Sequence, residues 1–85
     1  MPRISRFCGL VISMYHDDHA PPHFHVHEGD LQAAFTFTGE LLHGRASIRA
    51  RRLVREWARL HGRELELNLE LARRRKPLVR IAPLK

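Results

Sequence analysis

Two neighbouring segments in the first half of the chain alternate between polar and apolar residues, and the first of them does so strictly. Residues 23–28 place three histidines on one side and Phe24 and Val26 on the other, and residues 31–38 alternate in the same way. A period of two is typical of a half-buried strand, and Gly29-Asp30 between the segments is a turn signal. The sequence therefore predicts an antiparallel hairpin with one histidine-bearing face and one apolar face.

The segments around this hairpin predict an α+β fold. Residues 7–15 form a continuous apolar run, which predicts one buried strand with Cys8 as a small buried side chain. Residues 41–43 add a short strand after a turn at Gly39. A chain of 85 residues has room for a single domain, residues 1–85. We therefore predict three or four antiparallel strands, then two helices, then a short C-terminal strand or tail.

The second half of the chain predicts the two helices. Ser47 is a favourable N-cap for a helix over residues 48–61, and Gly62 is suited to end it. The arginines of this helix share one face, and its other face is apolar: Ala50, Leu53, Val54, Trp57, Ala58, Leu60 and His61. Residues 63–75 alternate like a strand, but they are strong helix formers, so we predict a helix.

Charge is distributed unevenly along the chain. The net charge is +6, and residues 45–63 hold seven arginines against one acid, Glu56. Such a surface favours an anionic partner, although a solvated helix face has the same composition. The candidate phosphate-binding residues are Arg51, Arg52, Arg55, Arg59, Arg73, Arg74, Arg75 and Lys76. No apolar run is long enough to span a membrane and no signal peptide is evident, so we expect a cytoplasmic protein.

The most distinctive string in the chain is His19-Ala20-Pro21-Pro22-His23-Phe24-His25-Val26. Together with Glu56-Trp57-Ala58 and the Leu-Ala-Arg and Pro-Leu pieces near the end, it resembles the bacterial family called domain of unknown function 4160. The resemblance extends over essentially the whole chain. It implies the toxin component of a two-gene toxin–antitoxin module, whose partner is a small antitoxin protein.

The histidines of this string support three interpretations. Alternate residues of a strand share a face, so His23 and His25 project together, ~6–7 Å apart. As an acid–base pair they would cleave RNA if cations stabilised the phosphate. With His19 they would instead hold a zinc- or nickel-class ion. The third interpretation is a hydrogen-bonded polar sheet face without chemistry.

Our working hypothesis is a toxin that acts on RNA or another nucleic acid. Its catalytic residues are His23 and His25, with His19 in support, and this metal-independent, ribonuclease-like chemistry requires no cofactor. The alternative is a non-enzymatic metal-binding or protein-interaction module with an ion at His19, His23 and His25. The expected partners are the small antitoxin protein and RNA or DNA, with no membrane. The sequence leaves open whether the chain is an enzyme, whether it forms a homodimer and what His27 does.

Overall fold

A computed structural model describes residues 2–15 and 21–84. Within them, five strands form one antiparallel sheet in chain order, and two helices follow. The strands are β1 (Arg3–Phe7), β2 (Leu10–Ser13), β3 (His23–Glu28), β4 (Leu31–Thr36) and β5 (Leu41–Gly44), and the helices are α1 (Ile48–Leu60) and α2 (Gly62–Arg73). The predicted α+β class is confirmed, but the sheet has five strands instead of three or four. Neither described helix is long and apolar enough to cross a membrane.

The additional strand arises because the apolar run at residues 7–15 is not one strand. A two-residue turn at Cys8 and Gly9 separates β1 from β2, and both residues have positive φ, 52° and 78°. Positive φ at both central residues is what a type I′ hairpin turn requires, and this turn matches the twist of the two strands. Cys8 is exposed in the turn. Its prediction as a buried strand residue was therefore wrong.

The hydrophobic core lies between one face of the sheet and the helices. Phe24 and Val26 of β3 and Trp57 of α1 are fully or almost fully buried in it. The Trp57 ring meets Phe24 edge-on, with ring centroids 5.5 Å apart, and its Nε1 donates a hydrogen bond to the Ala82 carbonyl oxygen at 2.9 Å. Leu60, which the sequence placed on the apolar side of α1, is 64% exposed because it lies at the edge of that side.

Helix α1 begins at the predicted cap, Ser47. Its Oγ accepts a hydrogen bond from the backbone N–H of Ala50 at 3.0 Å. Glu28, the last residue of β3, accepts from the Ser47 N–H at 2.9 Å and from the Ser47 hydroxyl at 2.6 Å. These two hydrogen bonds hold the pKa of the Glu28 carboxyl below its usual value. One carboxylate thus ties the central hairpin to the start of α1.

The chain after α2 is held without a strand. Gly62, predicted to end α1, is the first residue of α2. Asn68 of α2 is fully buried, and its side chain donates to the Val79 carbonyl at 2.9 Å and accepts from the Val79 N–H at 2.8 Å. The Ile81 N–H donates to the Ile4 carbonyl of β1 at 2.6 Å. The Asn68 side chain makes the hydrogen bonds to Val79 that a neighbouring strand would otherwise make. Residues 76–84 are therefore an irregular tail and not a strand, which is the second of the two predicted possibilities.

Candidate functional site

The histidines of β3 lie on the side of the sheet that faces away from the helices. His23, His25 and His27 are partly exposed there, whereas the residues between them are buried. The ring centroids of His23 and His25 are 5.1 Å apart. Tyr15 meets His25 edge-on at 4.5 Å. The alternation predicted from the sequence is therefore confirmed, and these three rings, Tyr15, His23 and His25, form what we call the ring cluster.

The tautomer of His23 follows from its hydrogen bond to the backbone. His23 Nδ1 lies 2.7 Å from the carbonyl oxygen of Pro21. A carbonyl oxygen only accepts hydrogen bonds, so Nδ1 carries the hydrogen and donates it. In the neutral ring the basic lone pair then lies on Nε2. Because Pro21 and Pro22 have fixed φ angles, the chain before β3 is well suited to hold that carbonyl in place.

Two arginines of β1, which sequence reasoning did not select, share this face with the histidines. Arg3 lies opposite Ser13, and Ser13 lies opposite His25. Arg6 lies opposite Val11, and Val11 lies opposite His27. Directly opposed residues of antiparallel strands project to the same face, and two strand spacings amount to about 10 Å. Both arginines are exposed. The histidine face therefore carries cations of its own.

Ser13 lies between Arg3 and His25 on this face. It is fully buried, and among the residues that the structure describes its Oγ has no hydrogen-bond partner. A buried hydroxyl without a partner costs about 1–3 kcal/mol. The histidine face thus retains an unsatisfied polar group directly beside the ring cluster.

The candidate metal site cannot be completed from these residues. His19 lies in residues 16–20, outside the described part of the chain. Within residues 2–15 and 21–84, no three His, Cys, Asp or Glu side chains are grouped as metal ligands. Zinc sites in proteins normally use three or four protein ligands. The set His19, His23 and His25 therefore stays a prediction.

The arginines of α1 lie on the other side of the sheet from the ring cluster. Helix α1 buries Val54 and Trp57 against the apolar side of β3, and its predicted phosphate-binding residues are exposed on the outer side: Arg51, Arg52, Arg55 and Arg59. The apolar sides of the helix and the strand must face each other, so their polar sides point in opposite directions. The structure therefore does not bring these arginines together with His23 and His25.

Residues 9–69 match the family model described as Domain of unknown function (DUF4160). This match covers most of the chain, including β3 and all of α1. The chain belongs to this family. No curated protein and no solved structure matches the chain. The comparisons thus show the family, and the arrangement of side chains on the sheet is the basis for the function proposed for this DUF4160 protein.

The second basic cluster of this DUF4160 protein forms the C-terminal cap of α2. Arg75 has a positive φ of 56°, and its N–H donates to the Ala72 carbonyl at 3.0 Å. The Lys76 N–H donates to the Leu71 carbonyl at 2.9 Å. This pair of hydrogen bonds is a Schellman motif, in which glycine normally takes the position of Arg75. The exposed side chains of Arg73, Arg74, Arg75 and Lys76 lie at the helix end that favours positive charge.

Proposed function

We propose that this DUF4160 protein is the toxin component of a bacterial toxin–antitoxin module and cleaves RNA by acid–base chemistry on its histidine face. The observation that carries the chemistry is the placement of His23 and His25 side by side, on the same sheet face as Arg3 and Arg6. Imidazole titrates near neutrality, so a pair of them supplies a base and an acid at physiological pH. The place in a toxin–antitoxin module rests on the resemblance of the His-Ala-Pro-Pro-His-Phe-His-Val string.

The proposed reaction uses the 2′-hydroxyl of RNA as the nucleophile. Nε2 of His23 takes the hydroxyl proton as the 2′-oxygen attacks phosphorus, and the bond from phosphorus to the 5′-oxygen breaks. Protonated His25 gives its proton to the leaving 5′-oxygen. The products are a 2′,3′-cyclic phosphate and a 5′-hydroxyl, so the step consumes no water.

The assignment of roles follows from the hydrogen bond of His23. Its Nδ1 donates to the Pro21 carbonyl, which leaves Nε2 as the basic nitrogen of the neutral ring. His25, beside it in the ring cluster, is then the acid. Arg3 and Arg6 supply the cations that stabilise the charge developing on the phosphate, because the arginines of α1 are separated from the histidines by the sheet.

The direct test is cleavage of a synthetic RNA by untagged protein in the presence of EDTA. We expect a 2′,3′-cyclic phosphate product and no cleavage of DNA of the same sequence, which lacks the 2′-hydroxyl. His23→Ala and His25→Ala should each reduce the rate by roughly 10²–10⁴-fold. His61→Gln is the matched control, since it removes an imidazole that contacts Glu64 on the helix side. Wild-type rates in both alanine variants would contradict the proposal.

Growth assays test the place in a toxin–antitoxin module separately. Expression of this chain alone should slow the growth of a bacterial host, and co-expression of the adjacent small gene should restore it. Folded His23→Ala and His25→Ala proteins should lose the effect. An absence of toxicity from the wild-type chain would contradict the toxin assignment, while the cleavage assay would still decide the chemistry.

A further inference from the structure

A groove lies between helix α1 and the loop that joins β4 to β5, residues 37–40. It encloses about 580 Å³ and is lined by Phe37, Thr38, Glu40, Arg55, Ala58, Arg59 and Gly62. Small-molecule sites in proteins usually have volumes of about 300–1,000 Å³. The groove is on the helix side of the sheet, so it is separate from the histidine face. No role in the proposed RNA cleavage is attached to it.

The loop that forms one wall of this groove is held rigidly. The Gly39 N–H donates to the Thr36 carbonyl at 2.9 Å, and the Thr36 N–H donates to the Glu40 carbonyl at 2.8 Å. Hydroxyl groups of Thr36 and Thr38 are hydrogen-bonded at 2.9 Å. Gly39 has a φ of 87°, and a Cβ at this position would lie 2.6 Å from the Arg55 Cα. The loop therefore packs directly against α1 and forms a defined wall of the groove.

Two cations and an aromatic ring face this space. Arg55 and Arg59 lie one helical turn apart, and within residues 2–15 and 21–84 neither forms an ion pair with a carboxylate. The two like charges repel each other at this spacing, and a bound anion would relieve that repulsion. Guanidinium groups hold phosphate with paired hydrogen bonds. The arginine pair thus forms a suitable binding site for a phosphate group.

Phe37 offers a stacking surface in the same groove as Arg55 and Arg59. Its ring is stacked on Phe24, with centroids 6.4 Å apart and planes 19° from parallel, so its orientation is fixed by the core. Phe37 remains partly exposed and lines the groove. A nucleic-acid base stacks on such a ring irrespective of its identity. Glu40 lines the same groove, and a carboxylate there can accept a hydrogen bond from the exocyclic amine of a base.

We propose that this groove binds a nucleotide, with its phosphate on Arg55 and Arg59 and its base against Phe37. The ligand chemistry is a phosphate monoester that carries an aromatic base. The source is either a free mononucleotide or the phosphorylated end of a nucleic-acid strand. This site is independent of the proposed RNA cleavage, and His23→Ala should leave it intact.

Calorimetric titration at low salt with three probes tests the proposal: AMP, ribose 5-phosphate and inorganic phosphate. Because stacking adds to phosphate binding, AMP should bind roughly tenfold to hundredfold more tightly than ribose 5-phosphate. Arg55→Gln/Arg59→Gln should lose binding of all three probes. Phe37→Leu should keep ribose 5-phosphate binding and lose the preference for AMP. The matched control is Arg63→Gln/Arg80→Gln, which removes the same charge from exposed residues that do not line the groove and should stay within about twofold of wild type.

A 5′-phosphorylated DNA hexanucleotide distinguishes the two sources, since it lacks the 2′-hydroxyl that the proposed cleavage needs. If the hexanucleotide binds more tightly than AMP and Arg55→Gln/Arg59→Gln abolishes this binding, the ligand is a strand end. If the hexanucleotide binds more weakly than AMP, the ligand is a free nucleotide. The proposal is overturned if wild-type protein does not bind millimolar AMP. It is also overturned if AMP and ribose 5-phosphate bind equally, or if the control variant loses as much affinity as the groove variant. Thermal unfolding of each variant confirms that it is folded.

Discussion

The hydrogen bonds between Glu28 and Ser47 should make the stability of the protein depend on pH. Ser47→Ala removes the N-cap of α1, which is worth about 1 kcal/mol. It also removes the hydroxyl that donates to the Glu28 carboxylate. Hydrogen bonds to charged groups contribute about 1.5–3 kcal/mol. We take about 1 kcal/mol for this one, because Glu28 is partly exposed and still accepts the hydrogen bond from the Ser47 backbone N–H in the variant. The total of about 2 kcal/mol corresponds to a decrease in Tm of about 8–16 °C for a domain of this size.

The part of this cost that comes from the hydrogen bond to the Glu28 carboxylate should disappear at low pH. The folded-state pKa of Glu28 is lowered, so its contribution to stability is present above the pKa of the unfolded chain and is lost as the pH falls through the folded-state pKa. Ser47→Ala should therefore cost about 2 kcal/mol at pH 7 and about 1 kcal/mol at a pH below the folded-state pKa of Glu28, as measured by urea unfolding. In a Glu28→Gln background the cost of Ser47→Ala should be the same at both pH values. An equal cost at both pH values in the wild-type background would refute the argument.

Three further predictions concern the cap of α2, the tail and the metal alternative. Arg75→Gly should raise the free energy of unfolding by about 1 kcal/mol, because glycine adopts positive φ without strain; an unchanged urea midpoint would contradict it. Asn68→Ala should cost about 2–3 kcal/mol and speed amide exchange in the tail, because two hydrogen bonds to Val79 are lost. Elemental analysis of untagged protein should find well below one metal ion per chain. The metal-binding alternative would be favoured if the protein held about one zinc- or nickel-class ion per chain and His23→Ala/His25→Ala lost it.

The elements with a clear period were predictable from the sequence. Strand β3 shows a strict period of two, and its buried and exposed sides are as predicted. Helix α1 begins at Ile48 as predicted, because the serine cap Ser47 precedes its amphipathic pattern. The residues that make the candidate acid–base pair, His23 and His25, are therefore visible in the sequence as neighbours on one face.

The first hairpin could not be predicted from hydropathy. Apolar residues continue through the turn at Cys8 and Gly9, and the dipeptide lacks the Asn or Asp that usually marks such a turn. Without that turn, the strand pairing that places Arg3 and Arg6 on the histidine face is not apparent. Because the turn was not predicted, the position of Arg3 and Arg6 on the histidine face was not predicted either.

The separation of the arginines of α1 from the histidines follows from patterns that the sequence already contains. Both α1 and β3 are amphipathic, and one core must bury both apolar sides. Their polar sides therefore lie on opposite surfaces of the domain. The groove between Phe37 and Arg55, in contrast, depends on a contact between elements distant in sequence, for which Gly39 alone gives a local signal.

The most direct test of the account is to compare two pairs of arginines in RNA cleavage. Arg3→Gln/Arg6→Gln and Arg51→Gln/Arg52→Gln remove the same charge from opposite sides of the sheet. Under single-turnover conditions with saturating RNA, the β1 variant should lose roughly 10²-fold or more in rate, because its cations stabilise the transition state. The α1 variant should keep a rate within about threefold of wild type, since any effect on weak RNA binding is removed by saturation. A wild-type rate in the β1 variant, or an equal loss in both, would contradict the assignment of the chemistry to the histidine face.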